Sequence, residues 1–159
     1  MLTPELAIII MFIASVIIGY FTMPIILGFY SPNIRHHANK VLSSLLMGFL
    51  MAIIELFMHS NMLSSPRIII YSTILVIGCV IVYYAIRGQW FVNERNFLNG
   101  MIEHHAMGIE MAYPYVHLHL RDIGNPLAKE INTLANGIYD VQMKEIKQMD
   151  NMLIQTPNK

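Results

Sequence analysis

The stretch IIIYSTILVIGCVIVYYAI, residues 68–86, runs directly into RGQWFVNERNFLNG, residues 87–100. The first part is apolar throughout and has the length of about 20 residues that a helix needs to cross a bilayer. The second part carries charge, asparagine and a tryptophan of the kind found at membrane interfaces. The sequence therefore predicts a membrane domain at residues 1–87 and a water-facing domain at residues 88–159.

Two further apolar runs, residues 5–30 and 41–58, precede the one at 68–86. Short polar segments join the three runs, so we expect three transmembrane helices in up-down-up order. The composition agrees, because 55% hydrophobic and 13% charged residues are unusual for a soluble protein. The first run lacks a basic start and a cleavage site, so it is expected to remain as an anchor in the lipid bilayer.

Charge and cysteine content exclude several classes of partner and site. The formal net charge is zero and no basic cluster is present, so we expect no nucleic-acid partner. Cys79 is the single cysteine and lies inside the third run, which excludes an intramolecular disulfide and a thiolate-rich zinc site within one chain. The packing of a small side chain is the expected role of this cysteine.

The charges that flank the three runs predict which side of the membrane the second domain faces. With three spans, residues 31–40 and the C-terminal domain lie on the same side. That side carries Arg35, Lys40, Arg87 and Arg95 near the spans, against Arg67 on the other side. The excess of positive charge predicts that the C-terminal domain is cytoplasmic.

The C-terminal domain shows two helical patterns and no strand-like alternation, which makes the whole chain all-α. The first helix is expected over residues 89–113, because Pro114 should end or kink it. Asn125 is expected to cap the second helix, with Pro126 at its first position. Its predicted buried face follows the helical spacing of Leu127, Ile131, Leu134, Ile138 and Val141.

The segment NGMIEHHAMGIEMA, residues 99–112, places metal-binding side chains on one face of the first of these helices. That face carries Met101, His104, His105, Gly108 and Met111. Imidazole with uncharged thioether and no thiolate favours Cu(I), with Ag(I) as its chemical mimic. The alternative is ordinary packing, in which the methionines fill core gaps and the histidines form a polar rim.

The second helix offers a matching row of polar and thioether side chains. The row consists of Gln142, Glu145, Met149 and Met152, spaced by three, four and three residues. It continues the line of Ile138, so the carboxylate is expected to point inward, where a histidine-bound cation or an imidazole N–H would be its partner. The alternative is an amphipathic helix with a solvated outer side.

FLNGMIEHHAMGIEMA and LANGIYDVQMKEIKQM, both within residues 95–153, resemble the domain-of-unknown-function 305 family. The family patterns are M-I-x-H-H in one helix and L-A-x-x-I-x-x-x-Q-x-x-E-I-x-x-M in the next. The resemblance implies a ferritin-like helical hairpin associated with copper, in the variant with three N-terminal spans. The signature positions it implies are Met101, His104, His105, Gln142, Glu145 and Met149.

Two features of this chain bear on what that resemblance implies. Glu103 stands where the family commonly has proline, which adds a carboxylate as a candidate ligand. The domain also has only two long helices. A four-helix bundle would therefore need a second copy of the chain, so we expect a homodimer.

The second apolar run carries its own candidate ion pathway. Methionine and carboxylate side chains recur at helical spacing, and a carboxylate in a membrane helix is a functional candidate by default. The possible relay comprises Met47, Met51, Glu55, Met58, His59 and Met62. The alternative is a methionine-rich packing seam with Glu55 paired to His59.

Four more histidines lie outside the signature. We expect His36 and His37, in the loop at residues 31–40, to be solvated. His117 and His119 are either accessory ligands or part of interface packing beside tyrosines.

The leading functional hypothesis is a membrane-anchored protein that sequesters or hands over Cu(I). We do not expect an enzyme, because the chain has no catalytic triad, no phosphate-binding glycine loop, no H-E-x-x-H and no paired E-x-x-H. The first alternative is a structural or assembly membrane protein without metal. The second is metal transport along the methionine face of the second span.

Overall fold

The computed structural model describes residues 3–28, 31–118 and 125–156, and all regular structure within these ranges is helical. The expected all-α class is therefore confirmed, with three long apolar helices followed by two more. A short 3-10 helix, Ser60–Met62, follows the second α-helix. The α-helices are α1 (Pro4–Leu27), α2 (Ala38–Met58), α3 (Ser65–Arg87), α4 (Glu94–Leu118) and α5 (Pro126–Gln155).

Helices α1, α2 and α3 are each long and apolar enough to cross a membrane. Pro24 lies inside α1 without ending it. The helix ends instead at Leu27, before the expected residue 30, because Gly28 takes a φ of 75°. That left-handed conformation stops a helix and is one that glycine adopts without strain.

The described residues of Met1–Thr22 and Ala38–Val92 form one packing unit. Ala52 and Leu56 are fully buried in it beside Ile8 of α1. Gly48 allows the close contact between α1 and α2, because a Cβ there would lie 2.5 Å from a methyl group of Val16. Many isoleucines on the outer faces of α1 and α3 remain exposed, as expected for spans that face lipid.

The described residues of Met23–His37 and Asn93–Lys159 form a second packing unit. Its main element is a hairpin in which α4 and α5 pack against each other. Ile102, Ala106 and Ile146 form a core with Leu27 from the end of α1. The segment at residues 31–37, before α2, therefore packs with the hairpin.

Helix α4 differs at both ends from the expected range of 89–113. Gln89 and Phe91 have φ values of 52° and 64°, so the chain turns there, and α4 begins at Glu94. The Asn93 side chain accepts a hydrogen bond from the backbone N–H of Asn96 at 2.8 Å, as an N-terminal cap does. The helix does not end at Pro114, which was one of the two predicted outcomes, but continues to Leu118. Proline removes one backbone hydrogen bond, and packing of the turns on either side maintains the helix.

The expected start of α5 is confirmed, but its expected buried face is wrong. Asn125 Oδ1 accepts the backbone N–H of Leu127 at 3.0 Å, and Pro126 follows it. The five predicted core positions are between 38% and 64% exposed: Leu127, Ile131, Leu134, Ile138 and Val141. Helix α5 packs on α4 through a neighbouring face, which includes the buried Ala135 and Ile146. Helical spacing identifies an apolar stripe, but it does not show which surface covers that stripe.

Candidate metal site

Two contacts between α4 and α5 define the register of the hairpin. His105 lies opposite Glu145, and Gly108 lies opposite Gln142. Three residues forward on α4 therefore correspond to three residues backward on α5, as in antiparallel helices. Met101 lies four residues before His105 on α4, and Met149 lies four residues after Glu145 on α5. With about 3.6 residues per turn, both methionines are therefore about one turn from the His105 contact, on the side away from Gly108 and Gln142.

Both ring nitrogens of His105 have a defined partner. Nδ1 donates a hydrogen bond to the carbonyl oxygen of Met101 at 2.8 Å, one turn earlier on the same helix. Nε2 lies 2.8 Å from Oε2 of Glu145, which projects from α5. The His105 side chain is 12% exposed and that of Glu145 is 48% exposed. The histidine is thus held by the hairpin while the carboxylate can reach solvent.

The contact at Nε2 calls for a proton or a metal cation between the ring and the carboxylate. A carbonyl oxygen only accepts hydrogen bonds, so the Nδ1 of His105 carries the proton in its bond to Met101. A neutral ring would then present a lone pair on Nε2 to an ionised carboxylate, and both groups are acceptors. Either a second proton or a metal cation relieves that contact. Metal-binding histidines commonly donate their other ring N–H to a backbone carbonyl in this way.

Gln142 adds an oxygen to the same side of the hairpin. Its amide lies directly over Gly108, where a Cβ on α4 would collide with it. Within the described residues Oε1 of Gln142 is buried and accepts no hydrogen bond. A buried amide oxygen without a donor is unusual in a folded protein. Its position one turn from Glu145 makes it a candidate ligand or a contact for a bound water.

The other predicted ligands divide between the core and the outer surface. Met149 packs against the hydrophobic core that includes Ile102 and Ile146, and Met101 is half-buried. His104 is exposed, with its ring centroid 6.0 Å from that of His105, and Met111 is 74% exposed. Within the described ranges, no three His, Cys, Asp or Glu side chains converge on one point that could hold a metal. A full ligand set therefore needs Gln142, a thioether or a rotation of His104.

Glu103 does not join this set, because the structure places it elsewhere. It is 1% exposed, and its Oε2 lies 2.9 Å from Nε2 of His37. Glu103 precedes His105 by two residues, which is about 200° around the helix. The His37 ring packs against Gly100, where a Cβ would approach Nδ1 to 3.3 Å. The prediction of a solvated His37 was wrong, since its side chain is 12% exposed.

An ion pair and a further hydrogen bond also tie residues 31–37 to the hairpin. Arg35 contacts Asp150 of α5 at 2.7 Å. The Asn99 side chain donates to the carbonyl oxygen of His36 at 3.5 Å. Because the Arg35–Asp150 pair is partly exposed, it contributes at most about 1 kcal/mol. The buried pair of His37 and Glu103 is the contact of this segment with the largest effect on stability.

The possible relay in α2 is only partly assembled. Glu55 is buried, and its Oε1 lies 3.3 Å from Nδ1 of His59, as the packing alternative expects. Met58 and Met62 are 71% and 59% exposed, and Met62 lies in the 3-10 helix after α2 has ended. The expectation that all four methionines share one face of a single helix was therefore wrong for Met62, which lies outside α2.

Two of the remaining candidate histidines, His117 and His36, lie within the described residues. His117 packs against Tyr113 at 4.4 Å and Tyr139 at 6.4 Å between ring centroids, which corresponds to the packing alternative. His36 is exposed. His119 lies outside the residues that the structure describes.

Comparison with known proteins adds to this geometry. A family model described as "Domain of unknown function (DUF305)" matches residues 85–153, which include α4 and all but the last two residues of α5. An uncharacterized protein of Acanthamoeba polyphaga mimivirus is 34% identical over 148 residues, covering 92% of this chain and 90% of that protein. No solved structure matches the chain significantly. The similarity to the viral protein therefore extends through most of both packing units.

Proposed function

The chain belongs to the DUF305 family, and on that premise we propose that it is a membrane-anchored protein that binds copper as Cu(I). It would sequester the ion or hand it to another protein. The observation that carries the proposal is the His105 contact, in which two acceptor atoms 2.8 Å apart need a cation between them.

The donor atoms around His105 support copper over harder cations. An imidazole and the thioethers of Met101 and Met149 lie on successive turns, and thioether is a soft ligand that favours Cu(I). The carboxylate of Glu145 and the amide oxygen of Gln142 supply charge and polarity on the same side. Ag(I) has similar preferences and serves as a chemical mimic.

The individual residues have distinct roles in this proposal. His105 binds through Nε2, while the bond from Nδ1 to Met101 fixes the orientation of the ring. The ion takes the place of a proton between Nε2 and Glu145. His104 is exposed beside His105 and can rotate to supply a second imidazole, and Met111 is exposed on the same helix.

The proposal makes the protein a binding module and not an enzyme. Helices α1 to α3 would hold it in the lipid bilayer, with the hairpin on the cytoplasmic side that the charge distribution favours. It does not extend to transport, because Met58 and Met62 are exposed and do not share a helical face. A structural or assembly protein without metal is the alternative that the experiment separates.

The test is a Cu(I) competition titration of the full-length protein in detergent micelles under reducing conditions. We expect the wild-type protein to bind tighter than about micromolar, which corresponds to about 8 kcal/mol. The double variant His104→Ala/His105→Ala should lose at least about a hundredfold in affinity, and the control His36→Ala should match wild type. Binding weaker than micromolar, or unchanged in the double variant, would contradict the proposal and favour the structural alternative.

The affinity for Cu(I) should depend on pH in a direction that the site determines. Because a ligating imidazole is neutral, the ion competes with a proton for Nε2 of His105. Affinity should therefore fall as the pH falls, by up to about tenfold per unit for each displaced proton. Repeating the titration from pH 7.5 to about pH 5 checks this. A constant affinity would indicate a site made mainly of thioethers.

A further inference from the structure

We propose that α5 of one molecule pairs antiparallel with α5 of a second copy, with the twofold axis near Gly137. The contact surface is the exposed apolar stripe of α5, which we define as Leu127, Ile131, Leu134, Ile138 and Val141. This interaction goes beyond metal binding and does not rest on it.

The stripe has the spacing of a coiled-coil seam. Its five residues are separated by four, three, four and three positions, so isoleucine and leucine alternate from Leu127 to Ile138. All five side chains are between 38% and 64% exposed. Scattered exposed aliphatic residues need no explanation, but a contiguous row on one helix face marks an interaction surface.

Gly137 supports a second helix as the occupant of this surface. It lies in the middle of α5, where glycine is less favourable than alanine. A Cβ at this position would meet nothing within 4 Å, so contacts within the described structure do not require glycine. The absence of a side chain beside an apolar stripe lets another backbone come close, as small residues do where helices cross.

The charges beside the stripe favour an identical partner in the antiparallel direction. Glu130 and Lys144 lie seven residues before and after Gly137, on the same flank of the stripe, and both are exposed. In a twofold pair centred on Gly137, Glu130 of one copy lies opposite Lys144 of the other, and this contact occurs twice. In a parallel pair in register this flank of one copy faces the other flank of its partner, so Glu130 and Lys144 would not meet.

The size of the stripe by itself indicates a weak dimer in dilute solution. From Leu127 to Val141 the helix is about 21 Å long, and one helix is about 10 Å wide. This gives roughly 210 Å² per copy, well below the value of about 800 Å² per partner that is standard for specific interfaces. Anchoring of both copies in one membrane would raise their effective concentration and favour pairing.

Cysteine cross-linking tests the position of the twofold axis. In metal-free, full-length protein carrying Cys79→Ser, we expect Gly137→Cys to form a disulfide-linked dimer in micelles on mild oxidation. The matched control is Asn136→Cys, since Asn136 is exposed but lies on another side of α5. Equal cross-linking of the two variants, or none with Gly137→Cys, would overturn the proposed geometry.

A charge exchange tests the pairing without cysteine. Glu130→Lys or Lys144→Glu alone should weaken the dimer by roughly tenfold, and the double exchange should restore it. Leu134→Asp should leave only monomer. Native mass spectrometry of metal-free protein over a range of concentrations measures each dissociation constant. A wild-type monomer at all concentrations, or a dimer that Leu134→Asp does not affect, would contradict the proposal. In the second case, another surface such as the membrane helices holds the dimer.

Discussion

A protein with His105→Ala is expected to bind Cu(I) about a hundredfold more weakly than wild type, whereas His104→Ala should lose about tenfold or less. The difference arises from preorganisation. The ring of His105 is held by its bond to Met101 and is only 12% exposed, so it loses little freedom when an ion binds. His104 is exposed, so ordering its side chain on binding costs about 0.5–1.5 kcal/mol. This cost reduces the net contribution of its bond to the ion.

Competition titrations of the two single variants at pH 7.5 measure this difference. His36→Ala is the control for nonspecific copper binding by a surface histidine, because His36 is exposed in the same packing unit. Circular dichroism of each variant verifies that helix content is unchanged. If His104→Ala lost as much affinity as His105→Ala, the site would have to form on the outer surface and not between the helices.

Glu103→Ala is expected to lower the free energy of unfolding of the hairpin by about 3 kcal/mol. The carboxylate of Glu103 is 1% exposed and contacts His37, whose side chain is 12% exposed. Removing Glu103 leaves the imidazole without its hydrogen-bond partner and opens a cavity, which together explain the size of the effect. Glu103→Gln should cost less, because the amide can still hydrogen-bond to the imidazole.

Native-state hydrogen exchange of the full-length protein, followed by mass spectrometry, measures this loss in the peptides of α4. Glu110→Ala is the matched control, because Glu110 is an exposed carboxylate on the same helix. We expect it to change the free energy of opening by less than about 0.5 kcal/mol. A similarly small change for Glu103→Ala would show that residues 31–37 do not stabilise the hairpin through this pair.

The helices were predictable from sequence because their signals are local. Three apolar runs of spanning length correspond to α1, α2 and α3, with ends that differ by a few residues. Asn125 and Pro126 predicted the start of α5, because a cap is formed by neighbours in the chain. Pro114 misled the prediction of α4, since packing of the surrounding turns on α5 outweighs the loss of one hydrogen bond.

From the sequence, the candidate site could be predicted only as two groups of residues, each on one face of a helix. Helical spacing placed His105 on one face of α4 and Gln142 and Glu145 on one face of α5, and the structure brings these faces together. Spacing could not separate His105 from its neighbour His104, because adjacent residues differ by only about 100° around a helix. Whether each ring points to α5 or to solvent depends on how the two helices are rotated against each other.

The sequence by itself thus determined the helical class, the apolar runs and the residue types that can bind a soft metal. Only the tertiary structure decided that Glu103 pairs with His37, from which it is separated by 66 residues, and that the apolar stripe of α5 stays exposed. The physical reason is that local patterns report which groups need a partner. The identity of that partner depends on contacts between distant segments, whose register no local pattern contains.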